Sequence, residues 1–229
     1  MPPILHFTPT AWAKLRFFCR RSETEIGGFG VSAPHDLLMI EEFVTVKQTV
    51  TMGSVVFDDE AVADFFEAQV DVSRKPDQFA RLWLHTHPGE SASPSLTDME
   101  TFHRVFGGCN WAVMFILARG GRTYARLHFN VGPGGGLLIP VHVDYRLPFA
   151  GSDHDAWARE YDANVQREPL VFGDHDADLF GGAGRDKGEP DELDFAGRVD
   201  ELSMSAATEA EEYGESLECL GDDPSEVWP

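Results

Sequence analysis

Positive charge is what this sequence has least of. Its 229 residues carry 18 Lys and Arg against 39 Asp and Glu, a formal net charge of −21. Phosphate contacts need clustered basic side chains, so no nucleic acid is expected as a main partner, and no anionic membrane surface for the same reason. Cysteine is also scarce. Cys19, Cys109 and Cys219 are odd in number, widely scattered and free of any CxxC pair, so no disulfide framework is expected. No apolar run approaches the roughly 18–20 residues that span a bilayer. The opening MPPILHFTPT lacks a basic segment followed by a long apolar stretch, which argues against a signal peptide. No internal repeat is visible. Together these absences suggest a soluble protein of a reducing compartment, with a cytoplasmic location expected.

The acidity is unevenly spread. Residues 1–149 hold 16 acids and 13 bases, whereas residues 150–229 hold 23 acids and 5 bases. Hydrophobic residues make up 42% of the chain and 17 of its residues are Phe, enough for one sizeable core. The expected organisation is therefore one domain over 1–148, a docking helix within 149–168 and an acidic tail of little order over 169–229. Trp157, Tyr161 and Val165 form one stripe of that docking helix, which is read over Ala156–Arg167. Within the tail, only short transient helix is expected, near Val199–Met204 and Ala206–Tyr213.

Thr8-Pro9 has the form of a helix start, and the apolar spacing carries that helix to about Arg21. Glu25–Val31 reads as a glycine-rich strand, and Leu37–Val46 as a second strand hairpinned to it. Gln48–Ser54 reads as a polar connection. Val55–Phe57 is a short strand, after which Asp58 caps a helix to about Val72. Lys75-Pro76-Asp77 reads as a turn and Phe79–His87 as a strand. A further helix covers Thr97 to Phe106, stopped by Gly107-Gly108. Trp111–Ala118 is an unbroken apolar run suited to a central strand buried on both faces. Thr123–Asn130 pairs back to it, and Leu137–Tyr145 is a last strand. The fold class is α/β (α+β): a mixed, mainly antiparallel central sheet flanked by helices.

One stretch, Leu84–Asp98 (LHTHPGESASPSLTD), concentrates the chemistry. Side chains alternate along a strand, so His85 and His87 point the same way. Two imidazoles at a strand end suit zinc, and Asp98 in the first turn of the next helix supplies a third ligand. Such a site leaves a fourth position for water, whose pKa bound zinc lowers to about 7. Ser95, one helical turn before Asp98, has a hydroxyl that could face a bound carbonyl. Ser95-Leu-Thr-Asp98 equally matches a capping box, which would use both side chains on the helix's first amides.

His85-Thr86-His87, seven residues, Ser95, two residues and Asp98 reproduce the H-[ST]-H-x7-S-x-x-D signature, so residues 5–148 resemble the JAMM (MPN-plus, JAB-domain) metalloproteases. Glu25, in Glu25-Ile26-Gly27-Gly28, matches the upstream E-x-x-G of that family. The resemblance implies a JAB/MPN, cytidine-deaminase-like fold with one Zn²⁺ per chain, held by His85, His87 and Asp98. It implies that Glu25 holds the attacking water and serves as general base, and that Ser95 stabilises the oxyanion. The implied substrates are isopeptide or peptide bonds after the C-terminal tail of a ubiquitin-like protein. The implied partners are that protein or its conjugates, with activating and conjugating enzymes of the same pathway. Two other readings are a non-catalytic MPN scaffold and a metal-dependent hydrolase of a small amide or cysteine adduct.

Other residues invite less. His103 lies about 140° around the helix from Asp98 and is not expected to share its metal. Cys109 reads as a buried small side chain. Trp83 and Trp111 read as core or cleft wall. The GPGGG run Gly132–Gly136 lacks the Lys-Ser/Thr of a phosphate loop and reads as a connection between strands.

Overall fold

The computed structural model describes residues 2–168. The acidic tail expected over 169–229, with its two transient helices, lies outside the described residues. From the N-terminus come β1 (Leu5–Phe7), α1 (Pro9–Arg21), β2 (Ile26–Ala33), β3 (Asp36–Val44), β4 (Gln48–Val50) and β5 (Val55–Phe57). Next are α2 (Asp59–Asp71), α3 (Pro76–Phe79), β6 (Leu82–His87), α4 (Leu96–Phe106) and β7 (Trp111–Ala118). The described part ends with β8 (Thr123–Phe129), β9 (Gly135–Leu138), β10 (Val141–Val143), α5 (His154–Asn164) and β11 (Val165–Arg167).

The helices start where side chains satisfy their first amides. Thr8 Oγ1 accepts from the Ala11 amide with Pro9 in the first turn, and Asp58 accepts from the Ala61 amide. Eight strands form the main sheet in the order β10-β1-β3-β2-β6-β7-β8-β9. β1 runs parallel to β10 and β3, and β6 runs parallel to β7. The other four pairings are antiparallel, so the sheet is mixed with an antiparallel majority and has helices on its faces, as expected. A small second sheet has the order β11-β4-β5.

The two ends of the main sheet, β9 and β10, are consecutive in the chain. Only Ile139 and Pro140 separate them. Eight strands laid flat would place those ends roughly 34 Å apart at the usual strand spacing, whereas the link from Leu138 to Val141 reaches at most about 11 Å. The sheet must therefore curl. The Ile139 amide donates to Ala125 O on β8 at 3.0 Å, and the Leu5 amide of β1 donates to Pro140 O at 2.9 Å.

Alternation along β6 and β7 decides what each face meets. Leu82, Leu84, Val113, Phe115 and Leu117 join Leu15 and Phe18 of α1 and Trp157 of α5 in one core. Trp83, Ala112 and Met114 point the other way, against Phe102 and Phe106 of α4. A third cluster sets Phe29 and Val31 of β2 against Phe65 of α2 and Phe79 of α3. Among the described residues no helix is long and apolar enough to cross a membrane, and Cys19 and Cys109 are free thiols.

The sequence reading differs from the structure at short elements. β1 carries no sequence signal, because its three residues are too few to show a period. Gln48–Ser54 begins with β4 rather than being wholly a connection. The segment Leu137–Tyr145 is two strands, because Pro140 brings no amide to a ladder and marks the crossover. Pro76–Phe79 is a single helical turn. The last helix stops at Asn164, and Val165–Arg167 pairs parallel to β4 instead. That pairing overrides the good helix propensity of Gln166 and Arg167.

Candidate metal centre

β6 lies between β2 and β7 and is buried along its whole length. The alternation that turns Trp83 toward α4 turns His85 and His87 the same way. Their ring centroids are 5.2 Å apart, and the Trp83 indole lies 4.6 Å from the His85 ring.

α4 brings the third group. Ser95 Oγ accepts from the Asp98 amide at 3.1 Å, and Asp98 Oδ2 accepts from the Ser95 amide at 2.7 Å. This reciprocal cap orients the Asp98 carboxylate. Oδ1 is held 3.4 Å from His85 Nε2 and Oδ2 3.5 Å from His87 Nε2. The capping and ligand readings of Asp98 are therefore compatible: the cap aims the carboxylate at the histidines. Ser95 spends one lone pair on the cap and keeps its own hydroxyl hydrogen to donate.

Glu25 arrives from a different part of the chain. β2 and β6 pair antiparallel with Ile26 opposite Thr86 and Gly27 opposite His85. Continuing that register by one residue puts Glu25 beside His87, and its Oε1 lies 3.6 Å from His87 Nε2. The Glu25 amide donates to Thr51 O at 3.0 Å. Glu25, His85, His87 and Asp98 are all buried.

The buried polar atoms fit a bound cation. His87 Nδ1 lies 3.0 Å from Ser91 O. A carbonyl only accepts, so the hydrogen belongs on Nδ1, and Nε2 presents a lone pair to the cluster. Among the described residues, His85 Nε2 and His87 Nε2 are buried and meet no hydrogen-bond partner. Their approach to Asp98 is too long to satisfy them, and unpaired buried polar atoms are costly. One ligand atom each from His85, His87 and Asp98 can be chosen within 4.8 Å of one another, so the trio can hold a metal ion. Two imidazole nitrogens and a carboxylate oxygen form a donor set that suits a divalent transition-metal ion.

The electrostatics follow from burial and proximity. Burial pushes the Glu25 carboxyl up to about 7, with His87 opposing and Asp98 reinforcing the rise. Burial also lowers His85. It acts in the same direction on His87, but Asp98, Glu25 and the Ser91 carbonyl outweigh it, and His87 is raised. Burial disfavours the Asp98 anion, yet the two imidazoles and the Ser95 amide hold that carboxyl well below the usual carboxylate range.

The structure thus gathers His85, His87, Asp98 and Glu25, with Ser95 at the cap beside them. His103 is exposed on α4, and Cys109 is half-buried against the Arg81 guanidinium. Two supporting residues were missed in the sequence. Thr86, between the histidines, points to the opposite face and its Oγ1 accepts from the Ile26 amide at 3.2 Å. Thr51 supplies the carbonyl that receives the Glu25 amide. A buried threonine inside an apolar strand was the available signal for the first, and nothing local marked the second. No protein-family model matches the chain, and no curated protein matches it.

Proposed function

We propose that this chain is a zinc-dependent metallopeptidase of the JAMM type, acting on isopeptide or peptide bonds that follow the C-terminal tail of a ubiquitin-like protein. The observation that carries the chemistry is the pair of buried, unpartnered Nε2 atoms on His85 and His87, gathered with Asp98 beside the Glu25 carboxylate. The substrate class follows from the resemblance of the His-Thr-His, Ser and Asp spacing, together with Glu25, to that family. The same resemblance supports ubiquitin-like conjugates, and the enzymes that make them, as partners in the cytoplasm.

In this reading His85 Nε2, His87 Nε2 and an Asp98 oxygen hold the ion. Zinc, when bound, acidifies water and polarises a carbonyl. The Glu25 carboxylate takes the proton of the attacking water and gives it to the leaving amine nitrogen. Its burial raises its proton affinity, which suits a group that must both accept and return a proton. Ser95 Oγ donates its remaining hydrogen to the oxyanion that develops on the carbonyl. Trp83, packed on His85, keeps one wall of the cluster dry.

The test uses the full-length protein expressed with zinc and ubiquitin-like proteins extended through their C-terminal glycine by a lysine isopeptide. One zinc per chain and cleavage at that bond are expected, abolished by chelator and restored by zinc. Cleavage that survives both chelator and Glu25→Ala would overturn the mechanism.

A further inference from the structure

The strand that leads out of Glu25 has an irregular edge. β2 pairs with β6 from Ile26 to Phe29. On its other side the pairing with β3 reaches back only to Phe29, opposite Val44. Among the described residues, Gly27 therefore has no strand on that side to receive its amide and carbonyl. A side chain replaces the missing strand. Gln48 Oε1 accepts from the Gly27 amide at 2.9 Å, and Gln48 Nε2 donates to Gly27 O at 2.9 Å. The same Nε2 donates to Val46 O at 2.9 Å. A carboxamide offers one acceptor and two donors, and here all three functions are used by a side chain only 3% exposed.

The other end of the same short arm is held by the same segment, through the Glu25 amide on Thr51 O. The fit is tight, since a Cβ on Gly27 would lie 2.8 Å from the Phe57 ring of β5 and 3.0 Å from Val55 Cγ1. The metal ligands stand on β6 and α4 and make no hydrogen bond to Gln48.

We propose that Gln48 is a positioning residue for Glu25: its carboxamide completes the β2 edge at Gly27 and, with Thr51, fixes the arm that sets the Glu25 carboxylate beside His87. The inference rests on the proton-carrying role proposed above for Glu25. No common replacement reproduces the pattern. Glutamate would set one carboxylate oxygen against the Gly27 and Val46 carbonyls, asparagine is one methylene short, and methionine leaves both Gly27 groups unpaired.

The test compares Gln48→Met with Val50→Ala in the full-length protein. Val50 is a buried residue on the same strand, so its truncation loosens β4 without touching the Gln48 hydrogen bonds. Amide hydrogen exchange in the metal-free protein should show protection of Glu25 and Gly27 falling at least tenfold in Gln48→Met, with Leu84 and Phe115 unchanged and no such fall in Val50→Ala. Both variants should bind one zinc. With a cleavable substrate, Gln48→Met should lose at least tenfold in kcat with KM within twofold, and Val50→Ala should keep its kcat. Equal Glu25 protection in the two variants, or equal kcat, would overturn the proposal. Zinc binding without cleavage by the wild type would refute the proposed function, and the exchange comparison would still decide the positioning role. If Gln48→Met does not fold, Gln48→Asn serves in its place. Failure of both to fold beside a folded Val50→Ala would assign Gln48 a purely structural role and overturn the proposal.

Discussion

The two walls of the site are built differently. His85 and His87 stand on β6, a strand paired on both sides in the middle of the main sheet. Asp98 faces them from a helix start locked by a reciprocal cap. Glu25 stands just before β2, where the ladder ends and a side-chain amide and a loop carbonyl take over the pairing. One wall is set by the rigid core and the other by the sheet's margin. In the proposed mechanism the metal ligands and the proton carrier therefore have separate structural supports, so each should be open to disturbance without the other.

The sharpest way to break this comparison is to remove a ligand from the core wall. His85→Ala should abolish stoichiometric zinc and reduce cleavage to background, read by metal analysis and kcat/KM on the same preparation. Zinc retained at full stoichiometry would show that β6 does not carry the site.

Next in size is the margin wall. Glu25→Gln should keep its zinc and lose about 10²–10⁴-fold in kcat, the usual range for a general base. Loss of the metal as well would collapse the division between the walls.

Ser95 straddles the two. Ser95→Ala should lower kcat by about 10²–10³-fold through the missing oxyanion donor. It should also lower stability by ~1 kcal/mol through the missing cap, measured by denaturant unfolding. A stability loss with unchanged kcat would leave Ser95 as a cap alone.

The mildest test is pH. His87 is raised above its ordinary value in the metal-free cluster. A proton on Nε2 must leave before that nitrogen can hold a cation. Zinc affinity should therefore be pH-independent once His87 is deprotonated and fall by about tenfold per pH unit below that range. Competition titrations across neutral pH would show it, and a flat profile through that range would argue against His87 as a ligand.

What the sequence revealed tracks how local each element is. His85, His87, Ser95 and Asp98 lie within one strand–turn–helix unit, so strand alternation and helix capping bring them together with little help from the rest of the chain. Glu25 could be associated with them only through the resemblance to a metalloprotease signature, because its approach depends on the β2–β6 register. The long apolar run of β7 announced a buried central strand. The three residues Gln48–Val50 did not announce β4, since their pairing partners come from Val55–Phe57 and Val165–Arg167. Gln48 stayed silent for the same reason: a glutamine in a polar stretch reads as solvated, and only the gap left by β3 makes it structural. Leu137–Tyr145 reads as one strand, and no local pattern revealed that it breaks at Pro140 to join opposite ends of the sheet.

That join has a consequence for synthesis. β1 begins at Leu5, yet one of its two neighbours begins at Val141. A nascent chain can pair β1 with β3 early, because His6 and Met39 are both near the start, but the outer edge of β1 stays open until nearly the whole domain has left the ribosome. An open strand edge is a template for pairing with other chains, and long-range closures are slow steps. The last strand of the main sheet to arrive is thus the one that seals the first, and chaperone demand during translation should concentrate on the interval before Val141–Val143 emerges.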